Sequence, residues 1–193
     1  MLILVRHGRT AHNASRRLLG RIDVPLDATG VEQAQALGRL PLLRDADRVV
    51  SSPLQRAVCT AEALGPAVEV DPRWIEVDYG IYDEVPLDSN PEVFRHWPAE
   101  LEWTPEGGES LLDVGRRVRA ACSELWEEAA QRDVVVVTHV SPLKAAIAWA
   151  LGVDDRVAAQ MIVDVASISL IAAGRAGQPA LKAFNDTHAR PGS

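Results

Sequence analysis

Three short apolar runs, each followed by a polar stretch, mark the clearest elements along the chain. The runs occupy residues 2–5, 49–50 and 134–137, and continuous apolar runs of this kind are typical of strands that are covered on both faces. Ser52-Pro53 and Ser141-Pro142 follow the second and third runs. A serine at the cap position before a proline at the first helical position predicts that a helix begins at each of these junctions.

Two helical patterns lie between these strands. The first is capped by Thr29 and extends to about Leu40, with apolar residues at every third position that predict one buried stripe. The second begins near Ser110 and extends to about Ala130, with apolar residues every three to four positions. The stripe of the first helix consists of Val31, Ala34, Leu37 and Leu40.

The end of the chain predicts two further strands, at residues 167–172 and 180–184, with Gly174 and Gly177 in the turn between them. Strands that alternate with helices predict an α/β fold. We therefore expect a single-domain three-layer α/β/α arrangement, in which helices flank a mostly parallel central sheet.

The length of 193 residues, 47% of them hydrophobic, favours one domain with one core. We expect this domain to span residues 1–187, with a lid-like excursion over residues 81–108 and a loose tail over residues 188–193. The apolar runs are far shorter than the roughly 20 residues that cross a bilayer.

The formal net charge of −7 argues against a nucleic-acid partner, because binding to a phosphate backbone needs a broad basic face. The chain begins with a strand-like run and lacks the basic and apolar regions of a secretory signal, so a cytoplasmic protein is expected. Cys59 and Cys122 lie in helix-like segments without a metal-binding spacing, which favours reduced structural thiols.

Four polar residues are expected to meet at one edge of the sheet. Arg6, His7 and His139 follow the first and third apolar runs, and ligands of open α/β sheets bind beyond the carboxyl ends of the strands. Arg56 lies three residues beyond Pro53, about one turn into its helix, where a long side chain reaches back toward the positive end of the helix dipole. Two arginines, two histidines and helix amino termini predict an anion site, and phosphate is the usual anion for such a site.

Six motifs resemble, in order, those of the histidine phosphatase superfamily, also called the phosphoglycerate mutase-like superfamily. Residues 4–10, followed by Asn13, resemble the Arg-His-Gly signature of this family. Residues 51–57, followed by Thr60-Ala61, resemble its Ser-Ser-Pro-x-x-Arg-Ala-x-x-Thr-Ala element. The other matches are residues 25–34, 76–80, 107–110 and 138–139. Ordered matches at strand-to-helix junctions make chance a poor explanation.

The resemblance implies phosphoryl transfer through His7. A neutral imidazole would attack phosphorus and form a phosphohistidine that water then hydrolyses. Fixed positive donors would hold the oxygens over which charge spreads in the transition state, and Glu76 matches the position that protonates the leaving oxygen. The implied site has no metal ion and no cofactor. Its catalytic residues are His7, Glu76 and His139, and its phosphate-binding residues are Arg6, Asn13, Arg56 and His139.

Several of these assignments have alternatives. Asp78, Asp83 and Glu84 are nearby carboxylates, and sequence alone does not choose between them and Glu76. Residues 82–84 also replace the aromatic-Glu-Gly that often stands there in the phosphatases of the family.

Other matched positions have structural readings as well. Arg56 also suits a solvated helix arginine, and Asn13 also suits a helix cap. Val140 stands where the family commonly has glycine, which leaves the local backbone geometry open. Glu109 either orients the pocket or caps its helix.

The family contains phosphatases and mutases, and residues 83–109 favour hydrolysis. This segment holds eight acids and one base, whereas retention of a doubly phosphorylated intermediate calls for further cations. The alternatives are phosphoglycerate mutase-type transfer and a non-catalytic protein that binds a phosphorylated ligand. The acids are Asp83, Glu84, Asp88, Glu92, Glu100, Glu102, Glu106 and Glu109, and the base is Arg95.

The expected partner is a small phosphorylated metabolite, a monoester of a sugar, a nucleoside or a similar compound. The resemblance suggests α-ribazole phosphatase-like members of the family. Because the family often dimerises, a homodimer is one expectation. Five aromatics in or beside the excursion either line the non-phosphate end of the substrate or fold the excursion onto the body. They are Tyr79, Tyr82, Phe94, Trp97 and Trp103.

Overall fold

A single mixed sheet forms the centre of the protein. The computed structural model describes residues 1–89 and 91–187, so the predicted tail at residues 188–193 lies outside the described residues. Within them, six strands form one sheet in the order β3-β2-β4-β1-β5-β6. The strands are β1 (Leu2–Arg6), β2 (Arg48–Ser51), β3 (Val68–Val70), β4 (Val134–Thr138), β5 (Ile168–Ala173) and β6 (Pro179–Asp186).

The sheet is parallel over four strands and antiparallel at one edge. β1 pairs with β4, and β2 pairs with β3 and β4, all in parallel. β5 runs antiparallel to β1 and to β6. A short turn, Arg175–Gly177, joins β5 to β6, and only antiparallel strands can be joined by so short a connection. The two strands predicted near the end of the chain are therefore confirmed.

Helices cover both faces of the sheet. The helix predicted from Ser110 to about Ala130 is confirmed as α6, and the Ser110 hydroxyl accepts from the backbone N–H of Asp113 (3.1 Å) at its cap. None of the helices in residues 1–89 and 91–187 is both long and apolar enough to cross a membrane. The helices are α1 (Ala11–Ala14), α2 (Ala28–Gly38), α3 (Pro41–Arg44), α4 (Gln55–Glu62), α5 (Val93–His96), α6 (Leu111–Ala129) and α7 (Val140–Leu151).

Alternate residues of the central strands feed two separate cores. Leu4 and Val136 belong to one apolar cluster together with side chains of α6 and α7. Their neighbours Val5 and Val137 belong to the other cluster, together with side chains of α2 and α4. This alternation follows from the two-residue period of a strand. The predicted three-layer α/β/α fold with a mostly parallel central sheet is confirmed.

The helix starts predicted from the Ser-Pro pairs are wrong by up to two residues. α4 begins at Gln55 and α7 begins at Val140. In both helices a carboxylate from a distant segment takes the first backbone amide. Asp23 accepts from the N–H of Gln55 (2.8 Å), and Glu76 accepts from the N–H of Val140 (3.0 Å). These tertiary caps replace the local serine cap that the sequence pattern suggests.

The start of α2 also differs from the prediction. Asp27, not Thr29, is the cap residue, because its carboxylate accepts from the N–H of Gly30 (2.8 Å). Thr29 instead accepts from the guanidinium of Arg9 (2.8 Å). Val31 is 44% exposed, so the predicted buried stripe of this helix is wrong at that position.

Candidate active site

His7 lies immediately after β1, beside the end of β4. Its backbone N–H donates to the carbonyl oxygen of Thr138 (3.0 Å), which continues the pairing of the two strands. Its ring nitrogen Nδ1 lies 2.7 Å from the carbonyl oxygen of Gly8. Since a carbonyl oxygen only accepts, the proton lies on Nδ1 and the Nε2 nitrogen keeps its lone pair. Nε2 is therefore the nucleophilic atom of this ring.

Burial and neighbouring cations keep His7 uncharged. The residue is only 3% exposed, and burial lowers the pKa of its imidazole well below the usual 6.5. The positive charges of Arg56 and Arg6 lower this pKa further. The ring is neutral at pH 7, which is the form that can attack phosphorus.

His139 caps α7 and faces His7, with 5.0 Å between the ring centroids. Its Nε2 lies 2.6 Å from the hydroxyl oxygen of Ser52. Within the described residues this nitrogen is the one acceptor for the Ser52 proton, so Nε2 accepts and Nδ1 carries the hydrogen. The Nδ1 atom of His139 is buried, and no group of the described residues forms a hydrogen bond with it. It is thus a donor available to a ligand oxygen.

His139 is also uncharged, because burial lowers its pKa well below 6.5 and the cations of Arg56 and Arg6 lower it further. Two neutral imidazoles therefore face each other, one presenting a lone pair and the other presenting an N–H. This division of roles suits attack on phosphorus by one ring and binding of a phosphoryl oxygen by the other.

Arg56 supplies a buried positive charge beside the two rings. Its side chain is fully buried, and its guanidinium donates to the carbonyl oxygens of Ile22 (2.9 Å) and Gly20 (2.6 Å). Burial lowers the pKa of Arg56 to about 10, so the group is still a cation at pH 7. Arg6 is similarly held, since its guanidinium donates to the carbonyl oxygen of Val163 (2.6 Å).

No carboxylate of the described residues lies within 4.0 Å of the Arg56 guanidinium, and its Nε atom is buried without a hydrogen-bond partner there. The charges of Glu76, Asp23 and Asp83 raise the pKa of Arg56 from beyond ion-pair distance. A buried cation without a direct ion pair can bind an anion from outside. Because the side chain is fully buried, the alternative of a solvated helix arginine is wrong for Arg56.

Glu76 is bound to the start of α7. Its carboxylate accepts from the backbone N–H groups of Val140 (3.0 Å), Ser141 (3.1 Å) and Val77 (2.8 Å), and the residue is 3% exposed. The segment before it is tied to β4, because the hydroxyl of Thr138 donates to the carbonyl oxygen of Trp74. These bonds hold the Glu76 carboxylate at the start of α7, where Val140 directly follows His139.

The competing carboxylates are engaged elsewhere. Asp78 accepts from a backbone N–H two residues later (3.0 Å), and Asp83 accepts from a backbone N–H of the segment before α2 (2.7 Å). Glu84 is half-exposed and pairs with His12 (2.8 Å). The geometry thus favours Glu76 among the four candidates.

Arg117 and Glu109 support the Glu76 segment from α6. Arg117 donates to the carbonyl oxygens of Arg73 (2.6 Å) and Ile75 (2.7 Å), and it also reaches that of Glu76 (3.3 Å). Both oxygens of Glu109 accept from Arg117 (2.9 and 3.0 Å). Glu109 does not cap α6, whose cap hydroxyl comes from the next residue. Its role is to hold the arginine that positions the Glu76 backbone.

Asn13 takes part in the cap of α1. Its side-chain oxygen accepts from the backbone N–H of Thr10 (3.0 Å), while the Thr10 hydroxyl accepts from the backbone N–H of Asn13 (3.2 Å). This reciprocal arrangement is a capping box. The oxygen is therefore occupied, and only the amide NH₂ of Asn13 is left to donate to a ligand.

A cavity of about 350 Å³ opens at the start of α7, and its wall includes neither Glu76 nor the two histidines. Val140 and Ser141, whose amides bind Glu76, form part of its wall. Tyr79, Phe94 and Trp97 line it as well, and Tyr79 and Trp97 are also buried in the apolar core. Tyr79 and Trp97 therefore fit both alternatives for the aromatic residues, because they line the cavity and also pack in the core. The rest of the wall consists of Val93, Pro98, Leu111, Lys144, Asp155, Arg156, Ala158 and Ala159.

A comparison with known families decides what kind of protein carries this site. The sequence profile of the histidine phosphatase superfamily (branch 1) matches residues 2–187. The chain belongs to this superfamily. The family resemblance predicted from the six motifs is thus confirmed.

Curated relatives of the chain carry differing names. Bifunctional protein Rv2228c of Mycobacterium tuberculosis is 35% identical over 195 residues, which cover 96% of this chain and 54% of the relative. The chain thus spans about half the length of that relative. Phosphoserine phosphatase 1 of Hydrogenobacter thermophilus is 36% identical over 164 residues, 79% of this chain and 77% of the relative. Probable phosphoglycerate mutase GpmB of Yersinia enterocolitica is 32% identical over 160 residues, 78% of this chain and 74% of the relative.

Solved structures show the same fold. The mycobacterial glucosyl-3-phosphoglycerate phosphatase in complex with VO3 superposes with a TM-score of 0.84 at 28% identity, covering 96% of this chain and 99% of the other. The phosphoserine phosphatase of Entamoeba histolytica superposes with a TM-score of 0.88 at 23% identity, covering 98% of each chain.

Two polar contacts of the site were not predicted from the sequence. Ser52 bonds to His139, and Thr60 accepts from the backbone N–H of Gly8 (3.0 Å), which ties the loop after His7 to α4. Both residues lie in or just after the motif at residues 51–57. Their place in the second matched element was the only signal that pointed to them.

Proposed function

We propose that the protein is a phosphatase that hydrolyses a small phosphate monoester through a phosphohistidine on His7. One observation carries the proposal. A neutral histidine with an unprotonated Nε2 lies beside the buried cation of Arg56, which has no carboxylate partner among the described residues. A nucleophile next to a built anion site is what phosphoryl transfer requires.

The first step transfers the phosphoryl group to His7. The Nε2 lone pair forms a bond to phosphorus as the bond from phosphorus to the leaving oxygen breaks. Arg6, Arg56, the Nδ1–H of His139 and the amide of Asn13 bind the phosphoryl oxygens, where charge is spread in the transition state. Glu76 gives a proton to the leaving oxygen.

The second step returns the enzyme to its starting form. Water attacks phosphorus, Glu76 takes the proton from that water, and the bond between phosphorus and Nε2 of His7 breaks to release phosphate. The carbon skeleton of the substrate occupies the cavity at the start of α7, whose wall includes Val140 and Ser141. Neither step uses a metal ion or a cofactor.

The relatives support hydrolysis more than isomerisation. Phosphoserine phosphatase and glucosyl-3-phosphoglycerate phosphatase are named for removing phosphate from small molecules. The mutase alternative rests on the similarity to probable phosphoglycerate mutases. The eight acids and one base of residues 83–109 count against it, since a bisphosphorylated intermediate needs further cations.

The proposal extends to the setting of the enzyme. Residues 1–187 act as one domain, and residues 81–108 form the lid-like excursion, whose Phe94 and Trp97 line the cavity. Free thiols at Cys59 and Cys122 suit a reducing, cytoplasmic location. Cys59 is exposed, so the structural role predicted for this thiol is wrong. The homodimer and the likeness to α-ribazole phosphatase stay predictions.

Phosphate release from a panel of monoesters in metal-free buffer tests the proposal. We expect turnover by the wild type, loss of turnover in His7→Ala, and near wild-type turnover in the control Arg39→Met, whose side chain is exposed at the end of α2. The panel includes 3-phosphoglycerate with a bisphosphoglycerate primer. Isomerisation without release would show a mutase, and ligand binding without any turnover would show a non-catalytic protein.

A further inference from the structure

Lys144 differs from the other charged residues of the cavity wall. Asp155 pairs with Arg119 (2.7 Å), and Arg156 pairs with Asp154 (3.1 Å). Lys144 makes no ion pair within 4.0 Å and no hydrogen bond through its ammonium among residues 1–89 and 91–187. The wall thus contains one cation whose charge is left for a ligand.

The position of Lys144 directs this charge toward the chemistry. The residue lies four positions after Val140 on α7, so the two side chains share one face of the helix. Helical side chains lean toward the amino terminus, which here is the end that Glu76 binds. Lys144 therefore leans toward the end of α7 that Glu76 binds, and the charges of Glu76 and Arg6 both act on its ammonium.

Glu76 does not neutralise Lys144. Its oxygens already accept three backbone N–H groups, and it lies more than 4.0 Å from the ammonium. Burial lowers the pKa of Lys144, and the charge of Arg6 lowers it further, while the charge of Glu76 raises it. A partly desolvated cation whose neighbouring carboxylate lies beyond ion-pair distance gains more from an incoming anion than an exposed one does.

We propose that Lys144 binds a carboxylate at the non-phosphate end of the substrate, so that the preferred substrates are phosphate monoesters of small hydroxycarboxylic acids. This inference rests on the proposed function, because it takes the phosphoryl group to bind at His7. A single ammonium matches the single charge of a carboxylate, whereas a second phosphate would leave charge uncompensated. The apolar residues Val93, Phe94 and Leu111 enclose the carbon skeleton.

A pair of nearly isosteric esters tests the role of Lys144. 3-Phosphoglycerate carries a carboxylate where glycerol 3-phosphate carries a hydroxymethyl group, so the ratio of their kcat/KM values reports the recognition of that carboxylate. The ratio is measured for the wild type, Lys144→Met, Lys144→Arg and the control Lys182→Met, whose lysine is exposed on β6. Thermal unfolding of each variant shows whether it is folded.

We expect the wild type to prefer 3-phosphoglycerate by on the order of tenfold to a hundredfold, the usual effect of one charge-assisted hydrogen bond. Lys144→Met should bring the ratio close to one, Lys144→Arg should keep part of it, and Lys182→Met should leave it unchanged. A wild-type ratio near one, or a preference that survives in Lys144→Met, would overturn the inference.

The wild-type ratio tests the inference even where Lys144→Met fails to fold. The failure of the proposed function has a different signature. If the wild type releases phosphate from no ester, the proposed function is wrong, and the role of Lys144 is wrong with it. If it hydrolyses both esters equally and His7→Ala abolishes this turnover, only the role of Lys144 is wrong.

Discussion

The chemistry of His7 depends on a few neighbouring atoms. The Gly8 carbonyl oxygen places its proton on Nδ1, and burial together with Arg56 and Arg6 keeps the ring neutral. The same arginines are the groups proposed to bind phosphate. One set of cations therefore both activates the nucleophile, by disfavouring its protonated form, and stabilises the transition state.

Replacement of Arg56 with methionine should separate these two effects. Without the cation, the pKa of His7 rises, so the acid limb of the pH profile of kcat/KM moves to higher pH. The value of kcat/KM at pH 7 should fall about 10²- to 10³-fold, the usual effect of removing one transition-state donor. The pH profile and a ¹H NMR titration of His7 measure this change, with exposed Arg39→Met as the control. An unmoved acid limb would contradict the assigned role.

Much of this residue-scale picture could be predicted from sequence, and part of it could not. Arg6, His7 and His139 follow strand ends, and a parallel sheet brings such ends to one edge. The bond from Ser52 to His139 joins positions 87 residues apart. The two residues directly follow the paired strands β2 and β4. Their contact depends on which strands lie side by side in the sheet, which no local pattern of residues encodes.

At the scale of elements, the start of α7 joins the two halves of the site. His139 caps the helix, and Glu76 accepts from its first two backbone N–H groups. Four N–H groups at a helix start lack internal partners, and a carboxylate there also suits the helix dipole. The predicted Ser-Pro start failed because this tertiary cap determines where the helix begins.

Glu76→Gln should weaken both the helix start and the chemistry. Hydrogen bonds to a charged group contribute about 1.5–3 kcal/mol, so the free energy of unfolding in urea should fall by about 2 kcal/mol. The value of kcat/KM reports the transfer of the phosphoryl group to His7, and it should fall more for an alkyl phosphate than for p-nitrophenyl phosphate, whose leaving group needs no proton. The exposed Glu127→Gln on α6 is the matched control.

An equal loss of kcat/KM for both esters would mean that Glu76 is not the proton donor. Retention of wild-type stability would mean that its bonds to Val140 and Ser141 do not hold the start of α7. The two measurements therefore test the catalytic and the structural role of Glu76 separately.

At the scale of the whole molecule, two buried neutral histidines make stability depend on pH. The pKa values of His7 and His139 are lowered in the folded state, so between those values and 6.5 the unfolded chain binds more protons than the folded one. Stability therefore falls as the pH falls below about 6.5. The fall should not exceed about 1.4 kcal/mol per pH unit for each histidine.

Urea unfolding at a series of pH values between 5 and 8 measures this dependence. The double variant His7→Gln/His139→Gln should show a flatter profile than the wild type, whereas the exposed control Arg39→Met should keep the wild-type slope. A wild-type stability that does not fall below pH 6.5 would show that the two rings are not held neutral by burial.

The overall fold was the most predictable level of the molecule. Continuous apolar runs at residues 2–5 and 134–137 and the amphipathic pattern of α6 identified the central strands and one flanking helix. β3 was missed because it has only three residues, of which Glu69 and Val70 are exposed at the sheet edge. A short edge strand lacks the apolar run that marks a buried one.

The central claim is that the phosphoryl group passes through His7, and trapping of the phosphorylated enzyme tests it most directly. The wild type is quenched during turnover of a phosphate monoester in metal-free buffer, and the modified residue is located by mass spectrometry under conditions that preserve phosphohistidine. We predict one phosphoryl group, on His7, which disappears when the substrate is exhausted. A phosphoryl group on another residue, or turnover that continues in His7→Ala, would contradict the claim.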